Sequence, residues 1–480
     1  MVLVALAMVA IVAMAALSID VITLYLAREE AQRSADTGAL AAVRVIAVSG
    51  ITGDPSNSAS SWQLICGGTT SPASQAASTV ALQNVVGGAL ANTVNVTYSA
   101  GGASGNDCSK LPAWPGGSFG VNPMVTVQVI RTNLPNFFSR LWGRPGNSVS
   151  ASSTAEAFNP SFSGSVVGSI VPVQPRCVKP WIVPNHDPWS LSSVTGPFCD
   201  QTGQPACNAI VKTADGSIQN PGISLNGTNS GPGIIGERFW LSPDCRYNGA
   251  NCRYRNAGAN PKPLANYPPN GNIRIQPPPN LQYLPGETLT NGVAVPSCGT
   301  GSTYQTNIAG CDQSTVYQCG VQLANNIDLG TNPDQDTTDG VQCLIHEGDP
   351  TASQPDGQDT LDVPARYGAP NSYPFLIYPG DNNPLVTAGL SKQSPVSNSP
   401  SIVSLPIYDD GAVTIAPNGT TAVTIIGFMQ VFINAVDIYG NVDVTVLNVA
   451  GCSNGTGTYS VGSNPVSGNS PVPTRIITPP

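Results

Sequence analysis

Nine carboxylates lie between Asp328 and Asp362, and no Lys or Arg occurs from Ile275 to Ala365. Hard cations such as Ca²⁺ are held by clustered carboxylate and carbonyl oxygens around a turn. Asp334, Asp336 and Asp339, followed by Gly340, have the rhythm of such an oxygen-rich loop. They are the candidate metal ligands, with calcium as the candidate cofactor. The spacing is not that of an EF-hand, because Pro333 interrupts it and no closing Glu follows at position 12. The plain alternative is a solvated acidic loop.

The other reactive residue types give weaker signals. His186 and His346 are the only imidazoles for general base chemistry. Gly116-Gly117-Ser118-Phe119-Gly120 matches G-x-S-x-G, but a nucleophile elbow needs a strand before it and a helix after it. Here Trp114-Pro115 precedes and Asn122-Pro123 follows, which is loop chemistry. No catalytic residue is assigned, and the chain is not read as an enzyme.

Twelve cysteines (Cys66, Cys108, Cys177, Cys199, Cys207, Cys245, Cys252, Cys298, Cys311, Cys319, Cys343 and Cys452) form no C-x-x-C motif. With two histidines for company they support disulfides outside the cytoplasm rather than zinc. Cys199 with Cys207, Cys245 with Cys252, and Cys311 with Cys319 are candidate local pairs, while the connectivity stays open. The net charge of −9 argues against nucleic acid. Gly 50 and Pro 44 in 480 residues imply many turns and few long helices.

One long helix is nevertheless expected. Met1 to Ile19 carries no charge, Gly or Pro, and Val21 to Ala27 prolongs the apolar run past Asp20. That is enough to cross a bilayer. The Ala-rich stretch Arg28 to Val48 continues it without a Pro, so one helix of about 72 Å is expected over 1–48. No basic region precedes the run, and a retained helix is expected over a cleaved signal. Ala27, Ala31, Ala35 and Ala39, with Gly38 beside them, form a seam of small residues that admits another helix, its own or a neighbour's. Asp20 is read as marking a water interface or pairing between subunits.

The stretch Val2 to Val45 resembles the N-terminal segment of TadE/TadG-like proteins of Tad (Flp) pilus systems. The residues that carry the resemblance are Asp20, Tyr25, Ala27-Arg28, Glu30-Ala31-Gln32, Ala35-Asp36 and Ala39-Leu40-Ala41-Ala42. Arg131 to Ser161 is similar as well. The resemblance implies a pilus-assembly protein or a pilin-like subunit. The expected partners are then copies of the chain itself through the N-terminal helix, the membrane before assembly, and other pilus components.

The expected fold class is α+β. A pilin-like hydrophobic helix over 1–48 leads into a small α+β domain over 50–160. A Cys-, Pro- and Gly-rich irregular β region follows over 161–400, then C-terminal strands over 401–462 and an extended tail over 463–480. Within this plan Pro72 to Ala89 reads as a helix closed by Gly87-Gly88, and Leu134 to Trp142 as a short helix. Strands are expected at Val94–Tyr98, Met124–Ile130, Val149–Phe158, Ser401–Tyr408, Ala422–Ile433 and Val442–Val449. No sustained helical period occurs between Gly164 and Asp410. The expected function is a structural subunit of an extracellular pilus-like filament, inserted in the inner membrane before assembly. A monomeric membrane-anchored assembly component or adhesin is the alternative, and an anchored secreted hydrolase a distant third.

Overall fold

The computed structural model describes residues 2–49, 65–100, 103–111, 123–135, 146–157, 173–190, 198–199, 207–213, 216, 218–220, 234–244, 280–288, 298, 301–311, 317, 326–328, 333–348, 357–362, 376–396, 398–416, 420–452, 466–468 and 472–477. The chain forms two compact units. The first comprises Met1–Ile46, Ser58–Ala157 and Thr474–Pro480; the second comprises Ala47–Asn57 and Phe158–Pro473. The fold is α+β, with a long N-terminal apolar helix ahead of many strands.

Helix α1 covers Val2–Val48. Helix α2, Pro72–Gln83, begins on a proline, whose fixed φ and missing N–H suit the first helical turn. The strands of the first unit are β1 (Val85–Val86), β2 (Ala89–Leu90), β3 (Thr93–Ala100), β4 (Ala103–Gly105), β5 (Met124–Leu134) and β6 (Asn147–Ala157). Gly87 and Gly88 do not cap α2, which ends at Asn84. They form the tip of the β1–β2 hairpin, at φ 58° and 83°. A two-residue hairpin turn of the primed kind needs φ > 0 at both positions, and Gly-Gly supplies that at no steric cost.

Strands β3, β5 and β6 pair antiparallel, with Val96 opposite Val127 and Val127 opposite Ser153. Val125, Val127 and Val129 alternate inward and are fully buried, as a half-buried strand requires. Tyr98 Oη and Ser74 Oγ share a buried 2.7 Å hydrogen bond that ties the sheet to α2. The expected helix from Leu134 lies mostly outside the described residues; Leu134 itself ends β5.

In the second unit the strands are β7 (Val173–Pro175), β8 (Trp181–Pro184), β9 (Phe198–Cys199), β10 (Arg238–Pro243), β11 (Asn280–Pro285), β12 (Asn326–Asp328), β13 (Thr360–Asp362), β14 (Leu376–Tyr378), β15 (Ile402–Tyr408), β16 (Thr420–Ala422), β17 (Ile425–Val436), β18 (Val442–Gly451) and β19 (Val466–Gly468). The main sheet has the order β10-β18-β17-β15-β8-β11-β9, and a further pairing joins β10 to β11. That pairing closes six strands on themselves, which removes their free edges. All ten residues of β18 are buried. The regions expected separately at 161–400 and 401–462 therefore share one sheet, since β8 of the first bonds to β15 of the second and β10 of the first to β18 of the second.

Among the helices that fall where no helical period was expected are α3 (Thr303–Ala309) and α4 (Pro333–Ile345). They pack on one another through Gly340, where a Cβ would come within 2.8 Å of Ile308. The C-terminal segment also does more than extend. Strand β20, Thr474–Ile477, pairs antiparallel with β6 in the first unit. Arg475 there forms an ion pair with the fully buried Glu156.

Candidate functional site: the two halves of the N-terminal helix

Helix α1 changes character at Ala27. Before it, Leu3, Val4, Met8, Val9, Ile11, Val12, Met14, Leu17, Ile19, Val21, Ile22, Tyr25 and Leu26 are all exposed. By length and composition α1 is apolar enough, and long enough, to cross a membrane. After it, Ala27, Ala31, Ala35, Ala39, Ala42, Val43 and Ile46 are buried.

The small-residue seam is occupied by the chain's own α2 and sheet. At Gly38 a Cβ would stand 3.0 Å from the Ala77 carbonyl oxygen, 3.1 Å from the Ala81 Cβ and 3.3 Å from Val127. Small side chains on both helices are what permit this approach. Polar contacts then fix the register. Ser34 Oγ donates to the Ala81 carbonyl, Asn84 Nδ2 donates to Thr37 Oγ1 at 3.1 Å, and the Gly87 amide donates to Glu30 Oε2 at 2.7 Å. Position along α1 falls as position along α2 and the hairpin rises, so the two helices run antiparallel. The β1–β2 hairpin thus lies at the end of the unit from which the apolar half emerges. Asp20 is buried, at 5 % exposure, although its apolar neighbours Ile19 and Val21 are exposed.

Asp334, Asp336 and Asp339 lie in a helix rather than a loop. Pro333 starts α4, and Asp334 and Asp336 occupy its first turn, where carboxylates face the positive end of the helix dipole. Asp334 is fully buried and its Oδ1 accepts from the Gln335 amide. Asp336 accepts from Ser302 Oγ at 2.6 Å, and burial pushes its pKa up, partly offset by that hydroxyl. Asp339 accepts from Gln335 Nε2 at 2.7 Å. The oxygen-rich loop is thereby corrected to a helix start, which Pro followed by Asp could have signalled. Among the described residues no three His, Cys, Asp or Glu side chains come together as a metal site.

His186 Nε2 lies 2.9 Å from Asp410 Oδ2, and His346 takes a left-handed backbone at φ 61° just after α4. The Gly116–Gly120 motif lies outside the described residues.

Disulfides join Cys66 to Cys108, Cys177 to Cys311, and Cys298 to Cys343. Cys207 and Cys452 are disulfide-bonded too. Cys311 therefore does not take Cys319 as its partner, because α3 ends at Ala309 beside the Cys177 segment. Cys245, Cys252 and Cys319 lie outside the described residues, and of Cys199 only the backbone is described.

Residue types alone did not single out two buried ionisable sites in the second unit. Lys179 is 3 % exposed and donates to the Ile308 and Gly310 carbonyls at 2.6 Å each. Burial pulls its ammonium down to about 7, although the carbonyls at the end of α3 favour the cation. Glu237 is raised well above the usual carboxyl range, by burial and then by the adjacent Asp187. Asp187 is raised by burial as well. Neither Val178-Lys179-Pro180 nor Gly236-Glu237-Arg238 carries a sequence signal for this, since burial is set by the closed sheet.

No curated protein and no solved structure matches the chain. Residues 1–45, which hold the exposed half of α1 and nearly all of its buried half, match the family model described as Putative Flp pilus-assembly TadE/G-like, and this match supports a pilus-related role.

Proposed function

We propose that the protein is a structural subunit of an extracellular pilus-like filament, held in the membrane by the apolar half of α1 before assembly. The observation that carries this reading is the division of α1 at Ala27. A folded head with an exposed apolar stem cannot leave that stem in water. Lipid covers it first; copies of the same stem cover it in the filament. The partners are then other copies of the chain through residues 3–26, together with other pilus components. The reading assigns no reaction to the chain.

The apolar run of the stem favours a second reading. Up to Leu26 it is at least as long as the roughly 20 residues that cross the hydrocarbon core of a bilayer. A permanently anchored assembly component has the same stem. Shearing cells without detergent separates the two. Recovery of the chain in the sheared filament fraction at a level matching the major filament mass supports the subunit. Retention of the whole population in the membrane, while filaments still form, overturns it in favour of the anchor.

A further inference from the structure

We propose that the β1–β2 hairpin and the groove beside it are a lipid-facing seat by which the first unit rests on the membrane surface. The proposal rests on membrane insertion of α1 and is independent of polymerisation.

Outside α1, six large apolar side chains are exposed among the described residues, and three of them are Leu82, Val85 and Leu90, at 37 %, 51 % and 55 %. These three fall within nine residues, in the last turn of α2 and in the hairpin. Scattered exposed apolar residues need no explanation, whereas a contiguous group marks a contact surface. The hairpin is fixed against α1 at Ala27 to Glu30, where the run of exposed large apolar side chains ends. Its Gly87 amide is held by Glu30, and a Cβ at Gly87 would meet Leu134 at 2.1 Å and Ala27 at 3.5 Å. Between these parts lies a cavity of about 240 Å³, lined by Leu24, Leu26, Ala27, Gly87, Leu134 and Pro135, with Thr23 and Glu30 as its polar members.

Continuity with the stem identifies the occupant. Exposed apolar side chains of α1 continue up to Leu26, beside a face on which Ala16 and Asp20 are buried, and Leu24 and Leu26 line this groove. When the run to Leu26 fills the hydrocarbon and headgroup layers, Ala27 to Glu30 stands at the lipid surface. Tyr25, exposed one turn below, is the residue type enriched at that level. The hairpin then touches the boundary between headgroups and acyl chains, where an apolar surface is covered. Arg28 and Glu29, exposed on the helix at the same height, face headgroups and water.

The test places a fluorophore at three positions of the full chain in nanodiscs. Leu17→Cys reports the stem and Leu90→Cys the hairpin. Gly105→Cys, paired with Tyr98 toward the far end of β3, reports the opposite end of the unit. Preparations carrying one label per chain by intact mass are used, so that the native disulfides remain paired. Brominated lipid is expected to quench Leu17→Cys and Leu90→Cys at least twofold and to leave Gly105→Cys unchanged. Quenching at Leu17→Cys without quenching at Leu90→Cys leaves the anchor standing and overturns the seat. A Leu90→Cys signal that ignores brominated lipid but changes with the number of chains per disc assigns the surface to a second copy and overturns the lipid proposal. Absence of quenching at Leu17→Cys removes the anchor, and the seat with it.

Discussion

The Ser34 hydroxyl donates a 2.7 Å hydrogen bond to the backbone carbonyl of Ala81, and both residues are fully buried. A side chain in the Ala-rich half of α1 thereby satisfies a carbonyl in the last turn of α2, where helix carbonyls lack partners within their own helix. Ser34→Ala removes this donor, but the Asn84 amide still reaches the same carbonyl at 3.3 Å. The expected loss is therefore about 1 kcal/mol, the net worth of one hydrogen bond, and not the larger penalty of an orphaned buried acceptor. Urea denaturation followed by protection of the first unit's amides from exchange measures it. A loss above roughly 3 kcal/mol would mean that Asn84 does not compensate.

Replacing Ala31 and Ala35 by Leu acts on the fold of the first unit. Both alanines are fully buried on the chain's own structure, so each added side chain has to displace packed neighbours, at about 1–3 kcal/mol each. The double variant is expected to unfold the first unit at lower temperature, and its failure to assemble would follow from that. Calorimetry of the chain in detergent decides. A wild-type midpoint would place the seam at an interface between subunits.

Stability of the second unit is expected to rise with pH between about 7 and 10.5. The folded pKa of Lys179 is depressed from 10.5 to about 7 by burial. Between these values the unfolded chain binds more protons than the folded one, so deprotonation favours folding. The contribution is present above the unfolded pKa and is lost as pH falls through the folded one. The slope is at most ~1.4 kcal/mol per pH unit for one group. Lys179→Met is expected to flatten the rise. Denaturation midpoints across this range, compared for the two chains, test it; an unchanged slope in the variant assigns the rise to other groups.

A peptide map under non-reducing conditions is expected to recover Cys311 linked to Cys177, across 134 residues of sequence, and Cys298 linked to Cys343, across 45. The loop-entropy relation puts the two at about 5 and about 4 kcal/mol. Loss of the longer cross-link is therefore the more destabilising. Recovery of a Cys311–Cys319 peptide would contradict the fold of the α3 region.

The sequence by itself determined the long helix, because an uncharged run without Gly or Pro joined to an Ala-rich run without Pro has no other stable conformation at that length. Strands β3, β5 and β6 were also legible from the alternation of a half-buried strand, and β15, β17 and β18 from apolar, β-branched runs of the kind that strands buried on both faces carry. Disulfide chemistry followed from cysteine number and spacing. The partners did not follow. Ala31 and Ala35 show that a close helix will pack there, but only the antiparallel placement of α2 decides that this helix is the chain's own. Gly87 and Gly88 announce a turn without saying whether it ends a helix or joins two strands. Asp334, Asp336 and Asp339 show charge, while burial of α4 against α3 makes them a helix start. Lys179 and Glu237 look like ordinary surface ions, and their shifted ionisation exists only because strands from both ends of the second unit close around them. Periodicity and composition act over a few residues and can be read locally. Burial and pairing join residues hundreds of positions apart, and only the tertiary structure sets them.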